Sequence, residues 1–172
     1  YVIAAAITLP GNLLSAFLPA SGRPSRCLPT LAGVVEVLSR PRAQIAAGLQ
    51  FMAALSYGLI LGAFTRYVET EYGTEWIWVA VSLYPATLMA LAWVGGALND
   101  RIGQAPVLAG GFLAGSLGLG ATVLWHSPWS AAFTAFALGL LNSTVSVSAS
   151  TIVGKAADPE RRPLVYGAVF AC

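Results

Sequence analysis

The sequence predicts an all-α integral membrane protein, folded as a multi-span helical bundle. Of its 172 residues, 57% are hydrophobic and only 9% are charged, and the mean hydropathy is +0.74. Soluble domains carry about a quarter charged residues, so this chain has too little polar surface to coat a globule in water. Its apolar residues also fall into runs of about 20, the length that a helix needs to cross a bilayer.

The apolar runs predict five complete spans and one truncated span. They cover residues 1–19, 43–65, 76–98, 106–125, 129–153 and, truncated, 163–172. Pro163 suits the first turn of a helix, but the last run is too short to cross a bilayer. The first run begins at Tyr1 with no polar segment before it. We therefore expect the chain to be cut at both ends.

The charges in the loops predict the orientation of the helices. Eight of the nine basic residues lie in loops 20–42, 99–105 and 154–162, and the ninth lies in loop 66–75 beside three glutamates. Because cytoplasmic loops carry the excess of Lys and Arg, we expect those three loops to be cytoplasmic, in the inner cell membrane. Segment 20–42 is then a cytoplasmic central loop, and its apolar patch at 28–38 forms either an interfacial helix or an ordinary loop.

Several classes of function lack the residues that they need. The basic residues are too few and scattered for a nucleic-acid-binding surface. Cys27 and Cys172 have no metal-ligand spacing, and the single histidine, His126, lies in a loop. No His-Glu-x-x-His helix, nucleophile elbow or pair of aspartates occurs within a span, which argues against an intramembrane enzyme. We expect no catalytic residue, no metal site and no cofactor.

The most informative segment is the charged turn at 96–103, Gly-Ala-Leu-Asn-Asp-Arg-Ile-Gly, which lies between two long apolar runs. A carboxylate at Asp100 can accept hydrogen bonds from the free N–H groups at the start of another helix. Arg101 can pair with a carboxylate or a lipid headgroup, and the glycines permit close approach and turn geometry. The alternative is a plain polar turn that caps two helices.

This turn resembles the loop motif of the major facilitator superfamily, G-x-L-x-D-R-x-G followed by two basic residues. Leu98 matches the third position, whereas Gln104 and Ala105 replace the basic pair. Segment 158–162 (Asp-Pro-Glu-Arg-Arg) and segment 38–42 (Leu-Ser-Arg-Pro-Arg) resemble two other loops of the family, in the same order along the chain. Since a complete span and a basic loop precede residue 43, the resemblance implies the C-terminal half, about helices six to eleven.

The resemblance implies a secondary transporter that moves a small molecule by alternating access. The turn would act as a conformational latch, formed by Gly96, Asp100, Arg101 and Gly103. Asp100 would bind the helix start at 163–166 in one conformation only. The expected partners are the small-molecule substrate, the lipid bilayer and the missing N-terminal half, because the site lies between two halves. The alternative is a truncated or structural half without transport activity of its own.

Four residues are candidates for lining the substrate cavity. Gln50 and Tyr57 are seven residues apart, on one helix face, and the resemblance places them on a cavity-lining helix. Asn142 and Ser146, followed by Ser150, lie four residues apart on another face. Cavity contact and packing within the bundle both stay open, with packing favoured for the serines. Weaker candidates lie on the span at 76–98: Ser82, Tyr84 and Thr87.

The remaining patterns concern packing and the kind of substrate. Gly111 and Gly115 form a G-x-x-x-G pair, for which tight intramolecular packing is favoured over dimerisation. No ionisable residue lies in the middle of a complete span, so buried carboxylates for proton coupling are not offered here. This favours an exporter of lipophilic or drug-like compounds, with a uniporter also open. Four tryptophans at the outer helix ends predict an aromatic belt: Trp76, Trp78, Trp125 and Trp129.

Overall fold

The computed structural model describes residue 35 and residues 39–156. The helices are α1 (Pro41–Leu59), a π-helical segment (Ile60–Phe64), α2 (Thr65–Tyr72), a short 3₁₀ turn (Thr74–Trp76), α3 (Ile77–Ile102), α4 (Gln104–Leu124) and α5 (Pro128–Ala156). Four stretches are long and apolar enough to cross a membrane: Pro41–Tyr72, Thr74–Ile102, Gln104–Leu124 and Pro128–Lys155. The predicted all-α multi-span fold is confirmed. The predicted spans at 1–19 and 163–172 lie outside the described residues.

The helices extend beyond the span boundaries that were predicted from the apolar runs. Helix α1 starts with Pro41 at its first turn and continues through the π-helical segment into α2, beyond the predicted end at residue 65. On α2, Val68 is buried while Arg66 and Glu69 are exposed, so an amphipathic extension follows the apolar run. The predicted loop 99–105 shrinks to one residue, because helices occupy both of its sides.

Two glycines make the sharp connections between these helices. Gly73 and Gly103 have φ of 92° and 90° with ψ of 165° and 167°, a conformation that essentially only glycine adopts. Their N–H groups donate to the carbonyls of Glu69 (3.1 Å) and Asn99 (3.2 Å), which closes the preceding helix. Gly103 therefore turns the chain directly from α3 into α4.

Helix α5 is the central element of the described bundle. It packs against α1, α3 and α4, and 56% of its membrane-length stretch is buried, compared with 17–22% for the other three. The buried polar side chains of the bundle concentrate on this helix: Ser130, Thr134, Asn142, Ser143, Thr144 and Ser148. Large apolar side chains elsewhere face outward, as expected where lipid is the solvent.

The contact between α4 and α5 is built on small residues. Gly111, Gly115 and Gly118 are buried, and each lies against α5 so closely that an added Cβ would meet a neighbour within 3 Å. Gly110 and Gly120 on the same helix have open space instead. The predicted intramolecular packing of the glycine pair is confirmed.

Four of the five tryptophans, all except Trp93, lie at the ends of the helices opposite the charged turn. Trp76 and Trp129 meet edge to face, with ring centroids 5.9 Å apart. Trp78, Trp125 and Trp129 expose about 70% of their surface. Amphipathic rings at this level suit a membrane interface, as the belt interpretation predicts.

Candidate substrate site and charged turn

Asn142 of α5 joins three helices inside the bundle. Its side-chain Nδ2 donates to the hydroxyl oxygen of Tyr84 on α3 and to the Ala53 carbonyl on α1, at 3.4 Å in the second case. Its Oδ1 accepts from the Ser146 hydroxyl at 3.5 Å. Asn142 and Tyr84 are both buried, so the amide is satisfied within the protein. The network fixes the relative positions of α1, α3 and α5.

Tyr57 extends this network toward the surface of α1. Its ring lies against the ring of Tyr84, with centroids 6.0 Å apart and planes at 42°. Tyr84 is fully buried, whereas Tyr57 exposes 49% of its surface. Within the described chain, the Tyr57 hydroxyl makes no hydrogen bond. Tyr57 therefore offers an aromatic face and a hydroxyl to whatever contacts α1.

Gln50 lies two turns before Tyr57 and is half-buried. Its Oε1 is enclosed by the protein and has no hydrogen-bond partner among the described residues. An enclosed acceptor without a donor is costly, so it is available to a donor from a ligand or another helix. The structure does not bring Gln50 into hydrogen-bond contact with the Asn142 network within the part that it describes.

An open groove of about 460 Å³ runs along α5 at the end of the bundle that carries the charged turn, which is called the inner end after its predicted orientation. It is lined by Ser146, Val147, Ser150, Thr151, Gly154 and Lys155. The predicted polar stripe on this helix is thus divided. Ser146 and Ser150 reach the groove, whereas Asn142 lies buried behind them and contacts the groove only through Ser146.

A second cavity of about 470 Å³ lies at the outer end of the bundle, between the π-helical region and α4. Its lining is almost wholly apolar: Leu59, Ala63, Phe64, Tyr67, Leu119, Thr122, Val123 and His126. Sequence reasoning did not single out this cavity, because nothing in the sequence shows that α1 and α4 approach each other here.

The charged turn lies at the inner end of α3. Asp100 and Arg101 occupy the last helical turn and are exposed, and neither forms an ion pair among the described residues. Gly96 is half-buried and lies beside Val147 of α5. Gly103 has the positive φ given above. The predicted partner of Asp100, the helix start at 163–166, lies outside the described residues.

Asn99, next to Asp100, is a polar contact that sequence reasoning missed. It is 4% exposed, and its Nδ2 donates to the Ser148 hydroxyl at 3.2 Å. The Ser148 hydroxyl can donate in return to Asn99 Oδ1, at 3.4 Å. The sequence carried one signal for this contact, namely an amide side chain in the last turn of an apolar span. A buried amide at such a position needs a hydrogen-bond partner on another helix.

A comparison of the sequence with known families agrees with the all-α multi-span fold. Residues 46–172 match the family model of the Major Facilitator Superfamily, and the charged turn lies within the match. The chain belongs to the Major Facilitator Superfamily. No curated relative and no solved structure matches it. As a member of this superfamily, the chain is part of an integral membrane protein. The superfamily consists of secondary transporters, which move small molecules across the bilayer.

Proposed function

We propose that this superfamily member exports lipophilic or drug-like compounds by alternating access, and that the present chain is an incomplete part of the transporter. It would work together with an N-terminal half of the same protein. The observation that supports the substrate class is the neutral character of the Asn142 network. No Asp, Glu, Lys, Arg or His occurs within 43–65, 76–98, 106–125 or 129–153, so these spans offer no charge to a polar or ionic substrate.

The candidate lining residues suit an amphipathic molecule with a few polar groups. Tyr57 offers a ring face, Ser146 a hydroxyl and Gln50 an acceptor without a partner in the described chain. Binding pockets for such molecules are mostly apolar, with a small number of placed polar groups. A sugar would need more hydrogen-bonding side chains than these helices carry.

The charged turn is proposed as the latch of the transport cycle. Asp100 and Arg101 are exposed at the inner end of α3, where they are free to meet another element of the complete protein. Contacts made there in one conformation and released in the other would favour alternating access. The excess of basic residues at this end supports a cytoplasmic location, in the inner cell membrane.

The test is efflux of Nile red, a neutral lipophilic dye, from vesicles that contain the complete protein. Tyr57→Ala removes the proposed ring contact, which is worth about 0.5–1.5 kcal/mol, so the Michaelis constant should rise roughly 2–10-fold. Trp93→Ala is the matched control, because Trp93 is an aromatic residue 80% exposed on α3. It should leave efflux unchanged. Equal effects of the two variants would contradict a substrate contact at Tyr57.

The alternative, a membrane half without transport activity of its own, needs a separate comparison. Vesicles with the 172-residue chain alone are compared with vesicles that contain the complete protein. Efflux by the complete protein only would support the proposal that the chain is an incomplete part of a transporter, whereas efflux by the chain alone would contradict both the proposed need for a partner half and the alternative. Absence of dye efflux in both preparations would contradict the proposed substrate class.

A further inference from the structure

We infer that Asn99 is a positioning residue for the charged turn. Its paired hydrogen bonds with Ser148 fix the last turn of α3 on α5, so that Asp100 and Arg101 are presented at the surface. The inference rests on the proposed latch, because it assigns to Asn99 the orientation of the two latch side chains.

The pair has the burial and geometry of a specific contact. Asn99 is 4% exposed and Ser148 is fully buried. The amide donates at 3.2 Å, and the hydroxyl can donate in return at 3.4 Å, so each group serves the other as donor and acceptor. Breaking the pair would leave buried polar groups without partners, which is unfavourable away from water.

Within the last turn of α3, no large apolar side chain is buried against α5. Leu98 and Ile102, the large apolar side chains on either side of the charged pair, are 40% and 57% exposed. Gly95 is buried against α5 but has no side chain with which to hold an orientation. Asn99 therefore supplies the directional contact. Since successive helical residues are rotated by about 100°, fixing Asn99 inward fixes Asp100 and Arg101 outward.

The same pair connects the turn to the helix of the candidate substrate site. Ser148 lies on α5, which also carries Asn142 and Ser146. A change at Asn99 should therefore shift the balance between conformations while leaving the substrate-lining side chains and Asp100 chemically intact. A residue that only contributed to packing would lower stability without this shift.

The experiment measures access to the inner groove in the complete protein, and it needs no substrate. Every cysteine of the complete protein, Cys27 and Cys172 included, is replaced by serine, and Thr151→Cys then places a single reporter in the groove. The reporter is labelled from the cytoplasmic side with fluorescein maleimide. Asn99→Ala should raise the labelling rate about threefold, the amount that an average interhelical hydrogen bond in a membrane supports. Asp100→Asn should change the rate in the same direction.

Two variants separate positioning from loss of packing. Exchanging the partners, Asn99→Ser together with Ser148→Asn, should return the labelling rate toward that of the parent. Thr122→Val is the matched control, since it removes a hydroxyl contact between α4 and α5 at the other end of the bundle. It should leave labelling unchanged. If Asn99→Ala does not accumulate, Ser148→Ala removes the same pair and should give the same increase.

The outcomes distinguish this inference from the proposal beneath it. If Asp100→Asn raises labelling and Asn99→Ala does not, Asn99 has no positioning role and the latch stands. If neither variant changes labelling, the latch itself is overturned. An equal increase in the Thr122→Val control would show general loosening of the bundle, and would also overturn the inference.

Discussion

The two sides of α5 differ in the balance between close packing and hydrogen bonds. Against α4, three glycines let the backbones approach closely, and the Thr134 hydroxyl of α5 adds hydrogen bonds to Thr122 and to the Gly118 carbonyl. Against α1 and α3, one glycine of α5, Gly139, packs closely, and hydrogen bonds join Asn142 to Tyr84 and to the Ala53 carbonyl and Asn99 to Ser148. A close contact between two helix backbones is broken when one larger side chain enters it, whereas a hydrogen bond between side chains can be exchanged for a bond to another partner. We expect from this difference that α4 and α5 move as one pair, and we propose that the side of α5 that faces α1 and α3 carries the functional contacts.

Small residues suit the side of α5 that faces α4 because lipid provides no hydrophobic drive for helices to associate. Association depends on close packing and on hydrogen bonds between helices. At Gly118, an added Cβ would lie 2.7 Å from Ala137 Cβ and 3.2 Å from Thr134 Cα. Neither atom can be moved by a side-chain rotation. A larger residue there must push the helices apart.

The largest expected effect is therefore at Gly118. Gly118→Val should lower the free energy of unfolding by about 3 kcal/mol, the upper range for overpacking a close contact. Gly120→Val is the matched control, since a Cβ at Gly120 meets nothing within 4 Å. The loss of helical circular dichroism during detergent denaturation measures both variants. Equal destabilisation would show that the glycine contact is not what holds α4 to α5.

A smaller effect on stability is expected at Asn142, together with a loss of transport. Asn142→Leu leaves the Tyr84 hydroxyl without its donor and should lower the free energy of unfolding by about 1.5 kcal/mol, near the maximum measured for such bonds. Efflux should also fall, because the orientation of α1 and α3 is released. Ser143→Ala is the control, since Ser143 Oγ is buried with no partner among the described residues. If Ser143→Ala reduces efflux as strongly, the bonds of Asn142 are not what matters.

Sequence patterns predicted four spans that the structure describes and the close glycine contact between α4 and α5. Apolar length and helical spacing act within one segment, so they can be read without knowing the neighbouring helices. Two contacts could not be predicted because they depend on which helices meet: Asn99 with Ser148, and Tyr84 with Asn142. In a membrane this is hard to predict, because buried and lipid-facing positions are both apolar. Ile60 is fully buried while Trp93 is 80% exposed, and both are apolar.

The smallest expected effect concerns the two glycines that end helices in the same backbone conformation. Gly73 and Gly103 share a φ near 90°, and a Cβ at either would meet nothing within 4 Å. Substitution by alanine should therefore cost only the backbone strain, about 1 kcal/mol at both positions, the low end of the range for a residue held in this backbone region. Gly103 follows the charged turn, whereas Gly73 lies at the opposite end of the bundle. Gly103→Ala should then raise maleimide labelling of the inner groove, and Gly73→Ala should not. Equal labelling with equal loss of stability would make Gly103 a turn residue only, and would restrict the latch to Gly96, Asp100 and Arg101.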